Sequence, residues 1–248
     1  MSGAPTHDAS TAGGPGHGVS THGVSTHQVS THGVSAGSLR AAGAALAAES
    51  ARFAGLGWMP GTAGNLSVTL DRDPLRLAVT ASGLDKGELT ASDIVVVDEH
   101  GDWAADSSAL TTSLGLARKP SAEAGLHARI AAVTGAGAGI HVHALAAVRA
   151  GHRWPDGVEL EDLEMLKGIG HSAHGERVVI PVVQNHQDMR VLGDDFERVY
   201  RPAADGLAEV PALIVASHGI YAWGADLRQA RWHLELTEAL LQIALATR

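Results

Sequence analysis

Six residues near the middle of the chain, Gly139-Ile140-His141-Val142-His143-Ala144, restrict what it can fold into more than any other stretch. They read as a short apolar strand that ends in two imidazoles. Strand side chains alternate between faces, so residues two apart project from one side, and His141 and His143 can reach a single cation together. Imidazole pairs suit zinc and its neighbours among the transition metals. The same spacing also occurs in strands whose histidines only donate to backbone carbonyls. Metal chemistry therefore needs a third ligand, a carboxylate for proton transfer and a place for substrate elsewhere in the sequence.

The chain has no cysteine, so disulfides, thiolate metal sites and cysteine nucleophiles are excluded, and any metal site must use His, Asp or Glu. Its 248 residues, 45% hydrophobic, suffice to bury one large core. A formal net charge of -9 and the lack of a basic patch argue against a nucleic-acid partner. No apolar run approaches the roughly 20 residues that span a bilayer, and the N-terminus lacks a basic region followed by an apolar one. A soluble, cytoplasmic protein is expected. Residues 1–37 carry a five-residue repeat (GHGVS, THGVS, THQVS, THGVS) and are expected to be a disordered tail. Its spaced histidines, His17, His22, His27 and His32, could bind metal loosely or have no role. One folded domain is expected over residues 38–248.

Within that domain, Ser38 followed by an Ala-rich periodic run to Phe53 predicts a capped helix ending at Gly55 or Gly57. Strand-like runs follow at 66–70, 75–80 and 94–97. Pro120-Ser121 leads into a helix to about Val133, and residues 160–169 read as a short helix. Residues 178–183 and 212–217 read as strands, and 226–247 as a long closing helix. Mixed elements with several strands in hairpin-like succession predict an α/β fold with α/β/α layers around one sheet.

The third ligand has a candidate in His218, which follows an apolar strand-like run and precedes Gly219. Three protein ligands with one open position is the catalytic pattern for zinc. The other histidines of the domain, among them His127, His152, His171, His174, His186 and His233, read as surface or satisfied core residues. The segments Gly61–Ser67 and Thr80–Lys86, rich in small residues and hydroxyls with one lysine, suit an anionic group, although each also reads as an ordinary turn. Lys119-Pro120-Ser121-Ala122-Glu123 adds a cation, a hydroxyl and a carboxylate at a helix start. Two carboxylates, Glu123 and Glu164, are candidates for the base. Glu164 is flanked by Leu163, Met165 and Leu166, so apolar surroundings and a raised pKa are expected for it.

Taken in order, GWMPGTAGNLSV, TASGLDKG, KPSAEAGLH, GAGAGIHVHA, LEMLKGI, IPVVQNHQDM and SHGIYAWG resemble the class II aldolase/adducin superfamily, and within it the methylthioribulose-1-phosphate dehydratases of methionine salvage. The likeness covers about residues 40–247. It implies a three-layer single domain around a mainly antiparallel sheet, and one Zn2+ per subunit on His141, His143 and His218. It also implies Glu164 as acid/base, a phosphorylated sugar substrate and a homotetramer. Gly64, Asn65, Ser82, Gly83, Lys86 and Ser121 would lie at the phosphate. Glu123 stands where the superfamily's aldolases carry their catalytic carboxylate and animal dehydratases carry Cys. A sugar-phosphate aldolase of the fuculose or rhamnulose type is thus the alternative enzyme, and a non-catalytic adducin-like module the alternative class.

Overall fold

The computed structural model of the protein describes residues 34–105, 115, 118–200 and 210–248. The repeat tail lies outside the described residues up to position 33. Its expected last positions already belong to folded structure, because α1 (Ala36–Gly55) is capped by Ser35. Ser38, expected as the cap, is the third residue of the helix. The hydroxyls of Ser35 and Ser38 form a reciprocal capping box that satisfies two orphan helix donors.

Seven strands form the main sheet: β1 (Asn65–Arg72), β2 (Leu75–Thr80), β3 (Ile94–Val97), β4 (Ala138–Val142), β7 (Val182–Val183), β8 (Ala212–Val215) and β9 (Gly219–Gly224). Their spatial order is β3-β2-β1-β4-β9-β8-β7, and every neighbouring pair is antiparallel except β7 with β8. The two short strands β5 (Val158–Leu160) and β6 (Val178–Ile180) pair separately. The mainly antiparallel sheet is as expected, with β4 at its centre.

Alternation along the strands builds the layers. Ala78, Val96, Ile140, Val142, Ile214 and Ile220 face one way and pack with Leu46 and Phe53 of α1, with α3 (Leu145–Arg153) and with α5 (Leu227–Thr247). Val79, Val95, Leu213, Tyr221 and Trp223 face the other way, beneath α2 (Ala124–Thr134) and α4 (Met189–Val199). These are the helix layers of an α/β/α fold.

Several local readings differ from the sequence expectation. The strand over 178–183 is two strands, since Pro181 has no N–H to donate and the chain turns there from β6 onto the main sheet. The helix over 160–169 is the end of β5 followed by a short 3-10 helix, Glu164–Ile169. Helices α3 and α4 and strand β9 were not anticipated. α3 and β9 are short and apolar enough to pass for continuations of their neighbours.

Phe196 of α4 is fully buried against the rings of Tyr200 and Trp223, with centroids 5.3 and 5.6 Å away. Phe196→Ala is expected to lower stability by about 3–5 kcal/mol. A shift of the urea midpoint at constant m would register it.

Candidate metal centre

The register of the sheet builds the site. His141 of β4 lies opposite Asn65 of β1 on one side and Tyr221 of β9 on the other, so the three side chains form a row across one face. The next row is Ser67, Gly139 and Trp223. Gly139 leaves the slot into which the His127 ring descends from α2, because a Cβ there would lie 3.0 Å from His127 Nδ1 and 3.2 Å from Ser67 Oγ. Glu123 is the N-cap residue of α2, and His127 follows one turn later. That spacing points both side chains at the same row of the sheet.

His218 arrives from the tip of the β8–β9 hairpin. Val215 pairs with Gly219, and the three intervening residues turn through Ser217 at φ 58°, with the His218 amide donating to the Val215 carbonyl at 3.1 Å. The His218 ring centroid sits 4.8 Å from those of both His141 and His143. Thus Glu123, His141, His143 and His218 bring ligand atoms within 4.8 Å of one another, the one such cluster among the described residues.

These groups suit a cation. His141 is fully buried, and its Nδ1 lies 3.1 Å from the Ile220 carbonyl, which makes Nδ1 the N–H and leaves the Nε2 lone pair facing the cluster. His141 Nε2 is 3.1 Å from His143 Nε2 and 3.7 Å from Glu123 Oε2, and His218 Nε2 is 2.9 Å from Glu123 Oε1. Ligands of a tetrahedral zinc, each about 2.0–2.1 Å from the ion, would stand about 3.3 Å apart. Burial pushes the His141 pKa down to about 3 and lowers that of His143, so both stay in the neutral form that ligates metals. The outward Nδ1 of His218 is buried without a hydrogen-bond partner among the described residues.

Glu123 is the counter-charge. Burial alone would raise its pKa, but a hydrogen bond with His218, the neighbouring His141 and a hydrogen bond from Asn65 outweigh it, and the carboxyl is held well below the usual carboxylate range. The Asn65 amide group donates to Glu123 Oε2 and, at 3.1 Å, to Ser121 Oγ. With its N–H groups so committed, Asn65 turns Oδ1 to His127 Nε2 at 2.6 Å, while His127 Nδ1 meets Ser67 Oγ at 2.8 Å. The polarity runs one way: Ser67 donates to His127, His127 to Asn65 and Asn65 to Glu123. His127 is one of the six histidines that sequence reasoning set aside as surface or satisfied core residues. It is buried and satisfied, and it also orients the carboxylate. Its four-residue spacing from Glu123 on an expected helix was the available signal.

The expected phosphate residues fall in three loops that touch. Lys86 is buried, its Nζ donating to the carbonyls of Thr62 at 2.9 Å and Leu84 at 3.0 Å, and its own amide bonds the Gly61 carbonyl at 3.1 Å. It ties loop 61–64 to turn 82–87, with burial lowering its pKa. The Ser82 amide donates to the Lys119 carbonyl at 3.0 Å, and Ser82 and Gly83 are exposed. Gly64 has φ 76°, and a Cβ there would lie 2.7 Å from the His141 carbonyl oxygen, so its identity is set by the close approach of β4. Asn65 spends its side chain on Glu123, Ser121 and His127 rather than presenting it outward.

Glu164 lies apart from the cluster. It opens the 3-10 helix with its side chain 73% exposed and hydrogen-bonded to Lys167 Nζ at 2.7 Å, which lowers its pKa. The apolar setting and raised pKa expected for it are not found in the single chain. Leu166 and Ile169 take the buried face of that short helix and leave Glu164 on the outer one.

Residues 44–245 match the model of the Class II Aldolase and Adducin N-terminal domain. The chain is 35% identical over 189 residues to a methylthioribulose-1-phosphate dehydratase from Sulfurihydrogenibium sp. (strain YO3AOP1), covering 75% of this chain and 81% of that protein. It is 33% identical over 185 residues to the protein of that name from Bacillus cereus (strain G9842), covering 75% and 80%. A solved L-fuculose 1-phosphate aldolase superposes with a TM-score of 0.63 at 24% identity, covering 86% of this chain and 87% of that one. The likeness to that structure concerns the fold.

His127 yields a pH test. Burial depresses its pKa from the ordinary 6.5 to about 4, so the unfolded chain takes up its proton first as pH falls. Stability is therefore lost between about 6.5 and 4 and unaffected above that window. Equilibrium denaturation of His127→Gln at pH 7, 5.5 and 4.5 should show a shallower decline than the parent chain. Equal slopes would mean that His127 is not held neutral.

Proposed function

This chain belongs to the class II aldolase and adducin family, and from that premise we propose that it is a metal-dependent hydro-lyase. The reaction is loss of water from 5-methylthioribulose 1-phosphate to give 2,3-diketo-5-methylthiopentyl 1-phosphate, a step of methionine salvage. The observation that carries this reading is the convergence of His141, His143, His218 and Glu123 in a chain similar over most of its length to proteins named for that reaction. Zinc, one ion per subunit, fits the N3O donor set without a thiolate. When bound, it supplies a Lewis acid that polarises the sugar oxygens and eases loss of the adjacent carbon-bound proton.

The substrate gives up a proton at C3 and a hydroxyl at C4, so one group must accept a proton from carbon and one must donate to the departing oxygen. Glu123 is poorly placed to accept it, since both its oxygens are engaged and its pKa is strongly depressed. Its role in the proposal is to hold the cation and fix the imidazoles around it. Glu164 presents an exposed carboxylate with Lys167 as its hydrogen-bond partner. We assign it the C3 proton in a homotetramer, in which a neighbouring copy brings it to the cluster. The same carboxyl then donates to the hydroxyl leaving C4, and the enol so formed becomes the diketone. The three touching loops take the phosphate, through Ser82, Gly83 and Ser121 with the buried charge of Lys86 beneath.

Glu123 within the cluster also favours a second reading, an aldolase that splits a C–C bond of a sugar phosphate with Glu123 as base. Mass spectrometry of the zinc-loaded protein with 5-methylthioribulose 1-phosphate separates the two. Loss of one water with the carbon skeleton intact is expected, and cleavage to dihydroxyacetone phosphate and a methylthio aldehyde would establish the aldolase. Glu164→Gln should keep its metal and lose about 10²–10⁴-fold in kcat. Normal turnover in that variant would remove Glu164 from the mechanism. Mixing inactive Glu164→Gln with inactive His218→Ala should restore activity if one copy supplies the carboxylate to another's metal.

A further inference from the structure

Helix α3 begins two residues after His143 and has no cap of its own. Its N-cap residue is Ala144, which offers no side-chain acceptor, so the first amides need a partner from elsewhere. They find it 91 and 92 residues along the chain. The Ala146 amide donates to Glu238 Oε1 at 2.9 Å and the Ala147 amide to Glu238 Oε2 at 3.1 Å. Glu238 lies in the middle of α5, 2% exposed, and also accepts a hydrogen bond from Gln242 one turn later. A buried carboxylate is costly: burial raises the Glu238 pKa, and two successive amides at the positive end of a helix dipole offset part of that cost.

The clamp bears on the metal centre through a short piece of chain. His143 is held on its N-terminal side by its own amide, which donates to the Trp58 carbonyl at 2.9 Å. On its C-terminal side the Ala144 carbonyl accepts from the Val148 amide at 3.2 Å, and the next anchored N–H groups are the two amides on Glu238. Trp58, His143 and Glu238 line one cavity. We propose that Glu238 is a positioning residue for the candidate cation site: by clamping the first turn of α3 it fixes the direction in which His143 leaves β4, and so completes the ligand set. This rests on the reading that the cluster holds a cation.

Glu238→Gln tests it, because the amide keeps the shape but can accept only one of the two N–H groups. Zn2+ affinity would be measured by competition with a chromophoric chelator, and geometry by the visible spectrum of the Co2+-substituted protein. Groups that orient metal ligands without touching the metal typically contribute about 10–100-fold to affinity, and a loss of that size with a changed Co2+ spectrum is expected. Leu234→Ala, a fully buried substitution on the same helix, is the control. It should lower Tm yet bind Zn2+ like the parent. If Glu238→Gln binds like the parent, or if both variants lose affinity in step with Tm, the inference is overturned while the metal centre stands. A parent chain that takes up no Zn2+ overturns both. If Glu238→Gln does not fold, Gln242→Ala, which frees the carboxylate from its side-chain partner, should weaken Zn2+ binding several-fold. Unchanged affinity there overturns the inference.

Discussion

A charged carboxylate held inside the protein against neutral imidazoles is the interaction on which the candidate centre depends. An unpaired carboxylate in such a place would neutralise itself by taking up a proton. Glu123 escapes that outcome because one oxygen meets His218 and the other receives the Asn65 amide. The imidazoles of His141 and His143 stay neutral, each with one bare ring nitrogen, since burial disfavours their cationic form. The result is a pocket of spare imidazole lone pairs beside a carboxylate, a donor set that suits a divalent cation.

The layered fold serves this arrangement through register. With β4 in the middle of the sheet, each of its outward positions has a neighbour on both sides, and His141 is fixed between Asn65 and Tyr221, whose ring stacks on it with centroids 4.1 Å apart. A slip of one residue would turn His141 toward α1 and α5 and bring Ile140 or Val142 to the cluster. The hydrophobic alternation of β4 and the donor geometry of the site are thus the same constraint, enforced by burying Ile140 and Val142 completely.

How much of this was legible in the sequence follows from the range of each interaction. The His141–His143 pair is a strand periodicity and could be read locally. His218 was legible as a histidine at a strand end beside glycine. Layering followed from the succession of helices and short strands, and the mainly antiparallel sheet from the family resemblance that the ordered motifs carry. The role of Asn65 was not legible, because its partners Ser121, Glu123 and His127 lie 56 to 62 residues away and only the β1–β4 pairing and the docking of α2 bring them together. The setting of Glu164 was misjudged for a related reason. Apolar neighbours in sequence imply apolar surroundings only when the element turns that side inward, and the short 3-10 helix turns Leu166 and Ile169 inward instead. The break at Pro181 was visible as a proline within a strand-like run, but its consequence, a handover between two sheets, is a tertiary fact.

The placement of β4 also fixes when the site can come into being. Its two flanking strands are separated by more than 140 positions in the chain, so one is synthesised well before the other. Until residue 224 has been made, the middle strand has an open edge, His141 lacks the Ile220 carbonyl that selects its tautomer, and the hairpin carrying His218 cannot close. Non-local pairings of this kind form late, after loop closure has been overcome. The growing polypeptide thus lacks the complete ligand cluster until β9 has paired with β4, so the candidate site is a product of completed folding rather than an aid to its early steps.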